Sequence, residues 1–311
     1  MNSHLIVVLN IYWSEEKMSQ KLKADMMLLL VTLCWGVSYY LMDLCLEELQ
    51  PLNLNAFRFL VAFAVAFIIA FPKLKGVNRI TLKYSVLISL SLVGVYVGAT
   101  YGVMYTSISN SGFLCALTVV FTPILAFIFK KQIPDKKLVL VVSMCVIGIA
   151  LLTLNEELKP ALGDILCLLG AIFYAVDLLI TETAVEKENV NAFHLGVYQL
   201  LFTGIFMLVL SAVLETPKLP QSSAVWGGAL FLAIFCTGLA FIIQAVAQQY
   251  TTASHVGVIF TLEPVFSGMV AFIFAHEVLL PRAYVGAFIM LMGMFIMEID
   301  FKSIKEKRKH T

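Results

Sequence analysis

The chain has 311 residues, of which 60% are hydrophobic and only 13% charged, where an average soluble chain carries about 25%. With a mean hydropathy of +0.93 it has too little polar surface for a water-soluble domain of this size, which excludes an ordinary cytosolic enzyme and a disordered chain. Lys and Arg (21) balance Asp and Glu (20), so there is no overall basic field and no nucleic-acid partner is expected.

Residues 1–23 come first. Within them 5–13 are apolar but too short to span, with no basic residue before them and no small-residue cleavage site after. Met18 opens MSQKLKADMM, a natural cytoplasmic start, so 1–17 read as an upstream start or an interfacial piece. Ten apolar segments follow, at roughly 24–45, 53–71, 84–105, 110–129, 137–154, 162–181, 192–214, 224–249, 253–275 and 282–300. Each run is continuous and about 20 residues long, the length a helix needs to cross ~30 Å of hydrocarbon. A transmembrane barrel would instead alternate in ~10-residue strands. Prolines punctuate the connections; only Pro123 and Pro264 fall inside spans. The six cysteines show no CxxC spacing and read as small buried hydrophobes. The last residues, 301–311, form a basic tail suited to a lipid surface.

With the N-terminus placed inside, the inward segments carry 17 Lys and Arg and the outward loops only Lys159, Lys218 and Arg282. That asymmetry predicts both termini on the cytoplasmic side of the cell membrane, and therefore an even number of spans.

The two halves resemble each other. At a constant offset of 145, twelve identities fall in 44 positions, from Tyr105/Tyr250 through Gly112/Gly257 and Phe121/Phe266 to Gly148/Gly293. The repeat unit is thus five spans, 24–155 and 162–300. An odd unit forces the second copy to enter the membrane inverted, a design that gives transporters two alternating conformations. The copies differ where it matters: only the second places a carboxylate, Glu263, beside its proline.

Glu263 sits midway along span 9. A carboxylate at that depth costs about 2–4 kcal/mol and should face a cavity or a partner. It reads as a substrate contact or protonation switch; the alternative is a carboxyl satisfied by a neighbouring helix. Asp177, two-thirds along span 6, is the second candidate for substrate contact and proton coupling, and His255, at the start of span 9, the third for proton coupling; a hydrated Asp and an interfacial His are their plainer readings. Trp35 and Tyr39 share one face of span 1, and Gln244 and Gln248 one face of span 8. Tyr101, Asn110 and Tyr174 add polar and aromatic groups on spans 3, 4 and 6. Arg58 in span 2 reads as a snorkelling anchor paired with Asp43 or Glu47. Gly94 and Gly98 make a GxxxG packing face on span 3. No HExxH, Walker A or GxSxG motif occurs, so no enzymatic activity, ATP-driven pumping, cofactor or metal is expected.

These pieces resemble a known family. LCWGVSYYL in span 1, NAFRFLVAF in span 2, YTSISNSGFLCALTVVFTPILAFIF across spans 3–4, LGDILCLLGAIFYAVDLLIT in span 6 and YTTASHVGVIFTLEPVFSGMVAFIFAHE across spans 8–9 are similar to the EamA-type exporters of the drug/metabolite transporter superfamily. The resemblance covers roughly residues 24–300. The first copy departs from it at Lys131 and Gln132, where the second has His276 and Glu277. It implies an all-α membrane protein of ten transmembrane helices in two inverted five-helix repeats around a central cavity. Spans 1, 3, 4, 6, 8 and 9 would then surround the cavity, making Trp35, Tyr39, Tyr101, Asn110, Tyr174, Asp177, Gln244 and Glu263 lining candidates. The expected function is secondary transport, by alternating access, of a small metabolite such as an amino acid, amine or drug-like compound, outward and by proton antiport. The expected partners are that small molecule and membrane lipid, with the protein a monomer or homodimer. The rival is a non-transporting membrane sensor or assembly partner.

Overall fold

The computed structural model describes residues 3–105, 114–153, 162–274 and 281–298. All the regular structure there is helical. The elements are α1 (Ser3–Leu46), α2 (Pro51–Ala70), α3 (Arg79–Tyr105), α4 (Thr118–Lys130), α5 (Lys136–Thr153), α6 (Leu162–Val185), α7 (Ala192–Leu214), α8 (Ser223–Ala233), α9 (Ala240–Ala247), α10 (Ala253–Phe260), α11 (Glu263–Phe274) and α12 (Pro281–Glu298). A wide π turn, Ile234–Leu239, joins α8 to α9. Seven spans are long and apolar enough to cross a bilayer, while Leu114–Lys130 and Tyr284–Met297 are shorter apolar helices.

Helix ends follow local chemistry. α2 begins at Pro51, whose missing N–H is one that a first turn leaves unused. The next two amides, of Leu52 and Asn53, are taken by the Glu215 carboxylate at 3.0 and 2.8 Å. Asn191 caps α7 through the His194 amide, Ser222 caps α8 through Val225, and Thr252 caps α10 through His255. α4 stops where Lys131 turns left-handed (φ 56°) and the Gln132 amide closes on the Ala126 carbonyl at 3.3 Å. Glu48, beyond the end of α1, accepts from the Ser222 and Gln221 amides. The Ser222 side chain, together with those amides, holds its carboxyl below the usual range.

Three boundaries differ from the sequence reading. The helical backbone of α1 starts at Ser3 rather than near 24. The eighth span is divided by the π turn, and the ninth breaks at Thr261 and Leu262. The break has a local cause. Pro264 has no amide to offer the preceding turn, and the Leu262 amide tightens onto the Ile259 carbonyl instead, at 3.1 Å.

The helix contacts repeat in pairs under exchange of the two halves. α3 packs on α6 as α1 packs on α8 and α9; α3 packs on α7 as α2 packs on α8; α1 packs on α10 and α11 as α4 packs on α6. α2 with α7 and α5 with α12 are their own mates. This is the contact map of a two-fold pseudo-symmetric bundle, and the ordering follows from the five-span unit. The tightest seam is α3 against α6. A Cβ on Gly98 would lie 2.6 Å from the Leu166 carbonyl oxygen and 2.8 Å from the Gly170 backbone. Backbone cannot yield as a side chain can. Gly98→Val is therefore expected to cost about 3 kcal/mol, the upper end of overpacking. Gly227→Ala, with nothing within 4 Å of the new methyl, should cost none. Thermal melting of the two purified variants in one detergent checks the contrast; equal melting points would refute it.

Candidate functional site

A cavity opens among α1, α2, α3, α4, α6, the α9 end of the eighth span, and α11. Its empty volume is about 680 Å³ with the open mouth included. α1 supplies Trp35, Ser38, Tyr39 and Met42, spaced i, i+3, i+4 and i+7 on one helical face. Facing them are Arg58, Tyr96, Tyr174, Phe241 and Glu263.

The broken ninth span places Glu263. It is the first residue of α11, so its carboxyl sits where the positive end of a helix dipole favours negative charge. Tyr39 of α1 lines the same cavity. Among the described residues no Lys, Arg or His lies within ion-pair distance of it. A charge at this depth therefore calls for a proton or a cationic group to neutralise it.

The π turn organises the opposite wall. Its wide backbone exposes the Cys236 carbonyl, which accepts from the Trp35 indole at 2.8 Å. Trp35 is thereby fixed against Phe260, Phe241 and Tyr174, with ring centroids 4.7, 5.7 and 5.8 Å away. Thr237 bonds back to the Leu232 carbonyl at 2.8 Å and accepts from Arg58 Nε at 3.1 Å. Inserted π turns of this kind commonly mark functional positions.

Arg58 is not the anchor that its sequence context suggested. It is 2% exposed, and its guanidinium lies over the Tyr96 ring, 5.2 Å from the centroid. Asp43 and Glu47 are exposed, and neither comes within 4 Å of it. The reason is that the side chain finds its partners, Thr237 and Tyr96, on helices of both repeats in the bundle interior rather than at the membrane surface.

Of the remaining sequence candidates, Trp35, Tyr39, Tyr174 and Glu263 converge on the cavity. Asp177, Gln244 and Gln248 form a polar layer behind it. Tyr174 donates to Gln244 Oε1 at 2.9 Å, Gln244 Nε2 donates to Asp177 Oδ2 at 3.1 Å, and Gln248 donates to the Leu178 carbonyl at 2.9 Å. Asp177 is 1% exposed and its Oδ1 has no partner among the described residues. Tyr101 stands apart, donating to Glu215 at 2.9 Å near the start of α2. Asn110 lies outside the described residues.

Beyond the polar layer, at the end carrying most of the basic residues, a His–Asp contact and a Lys–Glu ion pair meet at the start of α10. His255 Nε2 lies 3.1 Å from Asp25 Oδ1. Lys130 Nζ lies 2.5 Å from Glu182 Oε2, and Glu182 Oε1 accepts from the Ala253 amide at 3.2 Å. These join α1, α4, α6 and α10. Sequence reading missed Asp25, Lys130 and Glu182, since nothing local marks their pairing.

The sequence profile of the EamA-like transporter family matches residues 22–154 and again 161–299. The chain belongs to the EamA-like transporter family. It is accordingly a multi-pass membrane transporter of the drug/metabolite superfamily, and the two matched copies correspond to the paired contacts of the bundle. A protein of Archaeoglobus fulgidus named an uncharacterized transporter is 30% identical over 90% of this chain and 87% of its own length. The uncharacterized transporter YoaV of Bacillus subtilis is 21% identical over 88% of this chain and 96% of its own. A protein crystal structure superposes with a TM-score of 0.75 at 14% identity, covering 88% of this chain and 96% of that one; it shares the fold.

Proposed function

We propose that this EamA-family protein is a secondary transporter of the cell membrane that exports a small metabolite by alternating access, coupled to proton entry at Glu263. One observation carries the reading. A cavity with a carboxylate on its wall is separated from the basic end by a polar layer, the Lys130–Glu182 ion pair and the His255–Asp25 contact. Such a site is accessible from one side at a time. The pseudo-two-fold bundle supports a second state of equal design, in which the opposite end closes and the basic end opens. The excess of Lys and Arg at one end supports a cytoplasmic position for that end and for both termini. On this reading the cavity is in the state open away from the cytoplasm. In that state a proton reaching Glu263 neutralises it and releases a cationic group of the cargo; on return, cargo displaces the proton.

Reconstitution tests this. Purified protein in liposomes, loaded with a panel of amino acids, amines and drug-like cations, should release at least one of them faster when the outside is made acidic. Release at the rate of empty liposomes for every compound would favour the rival reading, a sensor or assembly partner. Release that ignores the pH gradient would leave a facilitator without coupling.

A further inference from the structure

The polar layer behind the cavity fixes the state of Asp177 through the direction of its hydrogen bonds. The Leu178 carbonyl can only accept, so the group 2.9 Å from it is the Gln248 amide nitrogen. Gln248 therefore turns its oxygen toward Gln244, whose Nε2 donates to it at 3.4 Å and to Asp177 Oδ2 at 3.1 Å. Gln244 Oε1 is left to accept from the Tyr174 hydroxyl at 2.9 Å. Asp177 Oδ2 thus faces a donor, and Oδ1 has no partner among the described residues. A protonated carboxyl would need an acceptor for its O–H, and neither oxygen is offered one. The carboxylate fits the layer, yet among the described residues no Lys, Arg or His comes within 4 Å to balance it. Thr181 stands one turn further along α6, on the same face. Its hydroxyl oxygen is likewise buried and without a partner among the described residues, and both residues are 1% exposed. Buried oxygens are nearly always bonded; here two lie unbonded on adjacent turns, and one of them is charged.

We infer that Asp177 Oδ1 and the Thr181 hydroxyl are the protein ligands of a sodium ion. Carboxylate and hydroxyl oxygens are hard donors that suit a hard cation. No three of His, Cys, Asp and Glu cluster among the described residues, which disfavours zinc and the softer transition metals. The charge balance selects a monovalent ion. One carboxylate cancels one charge, whereas calcium would keep an uncompensated charge in a dry site and asks for about six to eight oxygens. Magnesium holds to its waters and to a strict octahedron, which a site this enclosed does not supply. Sodium gives the buried carboxylate the countercharge that the protein withholds. The route in is the cavity itself: Tyr174, one turn before Asp177 on α6, is part of its wall. The site lies between the cavity and the Lys130–Glu182 pair, in the layer that closes the basic end. A bound cation therefore steadies that closure, and on the transporter reading sodium favours the state open at the other end. The binding site itself does not depend on that reading.

The experiment titrates the purified, detergent-solubilised full chain with sodium chloride, replaced by choline chloride or potassium chloride at constant ionic strength. Melting temperature is one readout, and equilibrium binding of radioactive sodium is the other. Sodium should raise the melting temperature saturably, as a ligand of the folded state does, and choline should not. Potassium should act at least tenfold more weakly. Asp177→Asn should abolish sodium binding. Thr181→Val should weaken it at least tenfold, and Thr181→Ser, which restores the oxygen, should return it to within about threefold of the wild type. The comparison of salts needs no variant, and the Val and Ser pair at 181 keeps the test alive if Asp177→Asn does not fold. Equal effects of sodium, potassium and choline, or no sodium binding between about pH 6 and pH 8, would overturn the inference; the second result would mean that Asp177 keeps a proton instead. Sodium binding that survives Asp177→Asn and vanishes in Glu263→Gln would move the cation into the cavity and overturn the assignment as well. Transport from liposomes is read separately, so the sodium site and the transporter reading can fail independently.

Discussion

Glu263→Gln is expected to lower pH-driven transport at least tenfold while leaving exchange of cargo across a membrane without a gradient. The substitution keeps the size of the side chain and its place on the cavity wall. What it removes is the change of charge. A carboxylate at the middle of the bilayer costs about 2.5–3.5 kcal/mol when charged and alone, and every 1.4 kcal/mol is a factor of ten in an equilibrium. A site that alternates between holding a proton and holding a cationic cargo therefore couples the two tightly, because the empty charged form is disfavoured. Gln is always neutral and cannot exclude the return of an empty carrier, so a pH gradient no longer drives net movement. The measurement is initial release from liposomes over pH 5.5–8, with and without a gradient. Asp177→Asn is the companion variant. Asp177 touches Gln244 rather than the cavity, so its loss should slow the cycle and preserve its pH dependence. A pH profile unchanged in Glu263→Gln and abolished in Asp177→Asn would transfer the proton to Asp177.

The contrast between what could be read in the sequence and what could not follows the range of the forces involved. The spans were legible because a helix in lipid satisfies its own backbone and announces itself by a continuous apolar run. The inversion was legible because the repeat unit holds an odd number of spans. The break beside Glu263 was not: Pro264 was visible inside the span, but span 9 was read as continuous over 253–275. The π turn at Ile234–Leu239 was not, since its carbonyls are held by Trp35 and its hydroxyl by Arg58, about 180–200 residues away. Arg58 shows the same limit. An Arg one and a half turns inside a span snorkels or turns inward according to what the neighbouring helices offer, and here both partners come from outside its own helix. The pairs Asp25–His255 and Lys130–Glu182 are separated by 230 and 52 residues; only the fold brings them together. Tyr101 illustrates the opposite error. Its place on a cavity-lining helix is correct, but the Glu215 carboxylate holds its hydroxyl at the end of the bundle.

Lys130→Ala should open the basic end. Lys130 is the sole cation within 4 Å of Glu182 among the described residues, and the two side chains are 17% and 5% exposed. Removing one member of a fully buried pair costs about 3–5 kcal/mol, and the partial exposure of Lys130 places this case near or below the lower bound. The cost falls on one state more than the other. Glu182 is held at the junction of α4, α6 and α10, which belong to both repeats; the conformation that opens this end separates those helices and returns water to Glu182. A differential of about 2 kcal/mol would shift the two states by more than tenfold. Hydrogen exchange should then quicken in the amides of α10 and the last turn of α4, while those of Leu52 and Asn53, bonded to Glu215 at the opposite end, should become better protected. The reversed pair, Lys130→Glu with Glu182→Lys, should restore part of the original pattern, though not all of it, because Lys at 182 cannot accept from the Ala253 amide. Uniformly faster exchange at both ends would mean that the pair stabilises the fold as a whole and is no gate. Opposite changes at the two ends are what a rocking bundle requires, since a cavity with two closures can relax one only by tightening the other.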